Sequence, residues 1–200
     1  MTMNQSRLLK YILASLTALA LIACGEKALK FSNVDITGSK AFGTDFSLMD
    51  HHGQKKSLAD FRGKVVVMFF GYTQCPDVCP TTMSEMQAVI ELMDKKGQQV
   101  QVLFVTVDPQ RDTQELLAQY VPAFNPTFLG LRPSSKEDLE KVTKDFKVFY
   151  NIVPGKTPNN YTIDHTAGSY VFDPSGRLRL FLKHQQNPKL IADDLLQLLK

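Results

Sequence analysis

The chain has 200 residues, 44% of them hydrophobic and 22% charged, enough for one domain with a real core and without low-complexity tracts or internal repeats. The formal charge is only +3, and two of the 23 basic residues, Arg7 and Lys10, fall in the first 23 positions, which leaves the remainder near neutrality. A near-neutral domain offers no electrostatic footprint for nucleic acid.

The N-terminus predicts a targeting segment. Arg7 and Lys10 form a basic region, and Tyr11 to Ile22 is an apolar run too short for a comfortable membrane span but suited to a signal peptide. It ends in Leu21-Ile22-Ala23-Cys24, which resembles the lipobox of bacterial lipoproteins, where the cysteine after a small residue is cleaved and lipid-modified. The expectation is a signal peptide over 1–23, a lipidated Cys24, a polar tether over 24–40 and a single domain over 41–200. The domain is then extracytoplasmic, on the periplasmic side, and anchored to a membrane.

Phe42 to Leu58 reads as a short strand-rich opening with His51-His52-Gly53 as a solvated turn. Val65-Val66-Val67-Met68-Phe69-Phe70, bounded by Gly63 and Gly71, predicts a strand buried on both faces. Gly71 to Pro80 is a loop. Thr81 or Thr82 caps a helix to about Lys96, with Glu85 completing a capping box on Thr82. Met83, Met86, Val89, Ile90 and Met93 recur at helical spacing, so the methionines read as core rather than as metal ligands.

Val100 to Val107 predicts a second buried strand, ended by Asp108-Pro109, and a helix runs from about Asp112 to Tyr120. Phe128 to Leu131 is a short strand, and Ser134 or Ser135 caps a helix to about Phe146. Tyr161 to His165 and Ser169 to Phe172 are extended, Asp173-Pro174-Ser175-Gly176 is a hairpin turn, and Arg177 to Leu182 returns. Asn187-Pro188 starts the last amphipathic helix. This order predicts an α/β fold, a mixed central sheet flanked by helices on both faces. A cysteine pair where the first buried strand opens into a helix is the place of the thioredoxin redox motif.

The chemistry centres on Cys75-Pro76-Asp77-Val78-Cys79. A helix N-terminus favours the thiolate, and two thiolates suit a soft ion such as Cu(I) or Zn(II). If Cys79 lies in the first turn, four-residue spacing lets both sulfurs converge on one ion. Among the four histidines, His165 ends an extended segment expected to enter the sheet beside the cysteine loop, whereas His184 lies past the last strand and reads as surface. Adding His165 gives a two-sulfur, one-nitrogen set. Asp77 either tunes the site or caps the helix, and strand alternation points Asp164 away from His165. Asp108-Pro109 to Thr113 reads first as a strand end and helix cap, with a docking role for Arg111 as the alternative.

Gly71-Tyr72-Thr73, Cys75-Pro76-Asp77-Val78-Cys79-Pro80, Val107-Asp108-Pro109-Gln110-Arg111-Asp112-Thr113, Asp164-His165-Thr166 and Asp173-Pro174-Ser175-Gly176 together resemble the Sco/SenC family, from about Phe42 to the last helix. The resemblance implies a thioredoxin-like fold and copper held by Cys75, Cys79 and His165. It implies a metallochaperone role in building the dinuclear copper centre of cytochrome c oxidase. The implied partners are the oxidase subunit carrying that centre, other copper chaperones and thioredoxin-like reductants. Some members act as thiol-disulfide reductases or redox sensors, and that second function would use Cys75 and Cys79 as a redox pair. Residues 166–170 hold no proline, similar to the family and unlike thioredoxin-like reductases, which place one opposite the dithiol. A peroxiredoxin-like peroxidase fits worst, because its motif is not evident around Cys75.

Overall fold

The computed structural model describes residues 29–157 and 160–200, so the expected signal peptide and Cys24 lie outside the described residues. Among the described residues no helix is long and apolar enough to cross a membrane. The folded unit runs from Phe31 to Lys200.

Its centre is the pair β4 (Val65–Gly71) and β5 (Val100–Thr106), both buried throughout and paired in parallel from Val65↔Val100 to Gly71↔Thr106. Side chains alternate across the sheet. Val65, Val67 and Phe69 join one core layer, and Val66, Met68 and Phe70 the other. β6 (Leu129–Arg132) extends the parallel part, and β9 (Gly168–Phe172) runs antiparallel on the far side of β4, followed by β10 (Leu178–Lys183). With β1 (Val34–Asp35), β2 (Leu48–Asp50) and β3 (Lys55–Lys56), the eight-stranded order is β1-β10-β9-β4-β5-β6-β2-β3.

Helices cover both faces. α1 (Val78–Leu92), α2 (Gln114–Tyr120) and α4 (Pro188–Leu198) contribute Met83, Met86, Leu117, Ile191 and Leu195 to one layer. α3 (Lys136–Asp145) contributes Leu139 and Val142 to the other. The expected mixed sheet between helices is therefore the observed one. The caps of three helices follow the sequence: Thr113, Ser135 and Asn187 each accept a backbone N–H through the side chain.

Four expectations are corrected. First, α1 starts at Val78 rather than after Thr81 or Thr82, with Asp77 at the N-cap. Pro80 falls in the first turn, where a helix has no partner for the missing N–H, so the proline that seemed to end the loop lies inside the helix. Glu85 is then mid-helix and completes no capping box; burial raises its pKa. Second, the tether read over 24–40 overlaps ordered structure. Val34–Asp35 pairs with β10, and the buried Asp194 carboxylate accepts N–H groups from Ser32 and Asn33. Third, Tyr161–His165 does not enter the main sheet. As β8 it pairs only with β7 (Tyr150–Pro154), a strand the sequence reading missed, in a separate two-stranded ribbon. Fourth, the turn at 51–53 is present with His52 and Gly53 exposed, but His51 itself is buried, and its Nδ1 accepts the Gly130 N–H at 3.0 Å.

Candidate metal centre

Three segments build the site. The end of β4 leads through Gly71 and Tyr72 into the loop that carries Cys75. α1 carries Cys79 in its first turn. The β7–β8 ribbon brings His165 from the opposite side. Convergence of the two cysteines comes from the loop, since Cys75 precedes the helix cap and shares no helical face with Cys79. The Cys75 N–H donates to Tyr72 O at 3.2 Å, turning the loop back toward the helix.

The donor atoms of Cys75, Cys79 and His165 lie within 4.8 Å of one another, and Cys79 Sγ is 3.6 Å from His165 Nε2. Donors about 2.0–2.3 Å from a shared ion and spread in a plane around it stand roughly 3.5–4 Å apart. The three residues thus fit a single soft ion with little movement. His165 Nδ1 lies 3.2 Å from Thr166 O, a carbonyl that can only accept. The ring proton therefore sits on Nδ1 and the Nε2 lone pair faces the sulfurs, which is the tautomer a metal needs.

The same reasoning disqualifies His51. Its Nδ1 is committed as an acceptor to Gly130, so Nε2 carries the proton and points it at His52 Nε2, 3.1 Å away. Burial and the neighbouring His52 hold the His51 pKa low. His184 is half-buried rather than free on the surface, with Nδ1 3.4 Å from Thr82 Oγ1, and it does not join the cysteines. Met83, Met86 and Met93 are core residues, as their spacing predicts. Asp164 is exposed. Asp77 caps α1 by position without a side-chain bond to the helix backbone; its Oδ1 accepts from Thr81 Oγ1.

Both thiols are free. They titrate as a pair. The Cys79 thiol donates to Cys75 and, with the Asp77 and Cys79 backbone N–H groups, pulls the half-buried Cys75 down to about 3. Cys79 is buried and faces that thiolate, so its own pKa is raised. Cys75 is the thiolate of the pair and Cys79 the proton donor. A depressed pKa keeps the thiolate as pH falls. Alkylation of the reduced, metal-free protein by iodoacetamide is therefore expected at Cys75 first, at a rate nearly constant from about pH 8 to pH 5. An ordinary thiol slows about tenfold per unit below its pKa, and that slope, read by mass spectrometry of timed samples, would contradict the assignment.

The sequence reading named two residues that shape this loop only as element boundaries and motif members, without their role in it. Gly71 is one: a Cβ there would lie 2.7 Å from Cys79 Sγ, so only glycine lets α1 approach the strand this closely. Asp112 is another. Fully buried, its carboxylate accepts from Thr73 N, Thr73 Oγ1 and Thr106 Oγ1, pinning the loop to the end of β5, and burial raises its pKa. The signal was available in principle. Parallel pairing of Gly71 with Thr106 sets the residues after each strand beside one another.

Comparisons with known proteins agree with this architecture. The pattern of the SCO1/SenC family matches residues 34–200. The chain is 35% identical over 178 residues to the mitochondrial SCO2 homolog of Bos taurus, covering 88% of this chain and 66% of that one. It is 34% identical to an SCO2-like protein of Rickettsia felis, covering 92% and 86%. The chain spans just under two thirds of the bovine protein's length and 56% of the human one's. Among solved structures, copper-bound ScoI of Bradyrhizobium japonicum superposes with a TM-score of 0.71 at 36% identity, covering 78% of this chain and 99% of that one. Apo Sco1 of Thermus thermophilus gives 0.73 at 36% identity, covering 86% and 99%. The chain belongs to the SCO1/SenC family and has its thioredoxin-like fold.

Proposed function

We propose that this protein binds one copper ion through Cys75, Cys79 and His165 and delivers it to the dinuclear copper site of a cytochrome c oxidase subunit. The observation that carries the reading is the convergence of two sulfurs and one imidazole nitrogen within 4.8 Å. Thiolates and imidazole are ligands suited to copper, and few redox tasks require the imidazole. The relative from Bradyrhizobium japonicum, at 36% identity, has copper bound. Copper here is cargo, held by the chain's own side chains until a recipient takes it. A second reading, thiol-disulfide exchange on the recipient's cysteines, is favoured by the free dithiol and the depressed Cys75 pKa. It uses the same two cysteines without His165.

The protein works outside the cytoplasm, on the periplasmic side, held at a membrane by lipid on Cys24. The sequence Leu21-Ile22-Ala23-Cys24 and the basic, then apolar, leader support this. Both statements are tested in one host, a bacterium lacking its own family member. The full chain is expected to restore oxidase copper content, and His165→Ala to restore under about a tenth of it. Mass spectrometry of the membrane-extracted wild type is expected to show loss of residues 1–23 and added acyl mass on Cys24. Full restoration by His165→Ala would favour the exchange reading, and an intact chain beginning at Met1 would reject the lipid anchor.

A further inference from the structure

The ribbon that carries His165 is attached to the domain in an unusual way. Among the described residues, no main-chain hydrogen bond joins β7 or β8 to the eight-stranded sheet; each strand pairs only with the other. The inner edge of β8 is held by side chains instead. Ile163 N donates to Tyr72 Oη at 3.1 Å, and Arg111 Nη1 donates to Tyr161 O at 2.8 Å. Tyr161 Oη in turn donates to Asp108 Oδ1 at 2.9 Å, and Ile163 is the one fully buried ribbon side chain in the core layer, with Tyr150 and Tyr161 packed against that layer.

Arg111 is the residue that spans the whole junction. Its guanidinium lies 3.5 Å from the centroid of the Tyr161 ring and 5.6 Å from that of Tyr72. Nε pairs with Asp108, while Nη1 reaches both Tyr161 O in the ribbon and Gln74 Oε1 in the cysteine loop at 3.2 Å. Gln74 is the neighbour of Cys75, and Tyr161 is four residues from His165 on the same strand. One planar cation thus bonds to both segments that carry the ligand set, the cysteine loop and the His165 strand. A stacked, forked guanidinium can do this, and an ammonium of the same charge cannot.

We propose that Arg111 is the positioning residue of the metal centre: it latches the His165 ribbon to the cysteine loop and so sets whether the imidazole shares the ion with the two thiolates. With the latch closed the site is a three-donor set. With it open, the ribbon moves off its side-chain anchors and leaves the thiolates as a two-donor set, from which a recipient can draw the ion more readily. This inference rests on the proposed metal site, and its test separates the two.

The variants are Arg111→Met, which keeps length and loses the fork, and Arg111→Lys, which keeps charge and loses planarity. The first readout needs no metal. In the reduced, metal-free protein, amide exchange by NMR is expected to speed up at least tenfold at Ile163 and across β8 in Arg111→Met, with α4 unchanged. Arg111→Lys is expected to restore little of the protection. The second readout is a cycle with His165→Ala. Arg111→Met is expected to weaken copper binding by about tenfold, the low end for a residue that orients a ligand, and by less than twofold when His165 is already Ala. Equal losses in both backgrounds, or unchanged exchange at Ile163, would overturn the latch. If His165→Ala alone left copper binding unaltered, the metal-site reading would fail, and the exchange arm would still decide whether Arg111 holds the ribbon. Should Arg111→Met not fold, Tyr161→Phe, which removes only the bond to Asp108, is expected to give a smaller loss of the same pattern, and no loss would count against the latch.

Discussion

Oxidation of Cys75 and Cys79 to a disulfide is expected to abolish copper binding. Metal ligands must be free and deprotonated, and a disulfide removes both sulfurs at once while leaving His165. A four-ligand site binding with about 10–16 kcal/mol gains roughly 3 kcal/mol per ligand, so losing two weakens binding on the order of 10⁴-fold. The sulfurs already lie within 4.8 Å of each other, and both thiols are free. Closing the bond needs rotation of Cys75 in its loop rather than refolding of α1. Diamide, which takes up two electrons and two protons from the thiols, serves as the oxidant. Equilibrium dialysis of the oxidised protein against buffered copper is expected to find no site, and a reductant is expected to restore one. Copper held equally tightly by both forms would mean that the sulfurs are not the ligands.

The redox dependence also links the two readings of function. In the proposed site the dithiol would be the copper-binding state, and the disulfide is what thiol exchange with a partner would leave behind. The same cysteines therefore serve copper delivery or partner reduction, and only His165 belongs to one of them alone.

Much of this was legible in the sequence because the central elements are long and uniform. Six apolar residues from Val65 to Phe70, bounded by glycines, leave little alternative to a buried strand, and the helical recurrence of Met83, Met86, Val89 and Met93 fixes the face that packs on it. The cysteines and His165 were legible as chemistry and as a family resemblance. What failed were features set by contacts distant in the chain. β1 is two residues long and has no periodicity to read; its partner is β10, and the adjoining turn is held by Asp194. β7 is largely exposed, because it lies on a ribbon outside the core, so its residues show no apolar alternation. His51 looked like part of a polar turn, and its burial follows from the approach of Gly130 across the β2–β6 pair. Arg111 looked like the start of a helix, and its contacts with Gln74 and Tyr161 appear only once β4 and β5 are aligned.

The central claim is that one copper ion has two sulfur ligands and one imidazole, and replacing His165 isolates the third. His165→Ala deletes the Nε2 that stands 3.6 Å from Cys79 Sγ and leaves Cys75, Cys79 and their loop contacts intact. By the same ligand arithmetic the loss is about 10²-fold in affinity, larger for Cu(II), which prefers nitrogen donors, than for Cu(I). Disulfide exchange by the two cysteines is expected to persist, since it needs only an attacking and a resolving sulfur. Tyr72 and Arg111 still hold the ribbon, so circular dichroism and the thermal midpoint should be nearly unchanged. The decisive measurement is X-ray absorption at the copper edge on reduced protein loaded with one equivalent. The wild type should show two sulfur neighbours and one imidazole shell, and His165→Ala the two sulfurs without the imidazole. An imidazole shell that survives in His165→Ala, or a wild type with sulfur alone, would contradict the account.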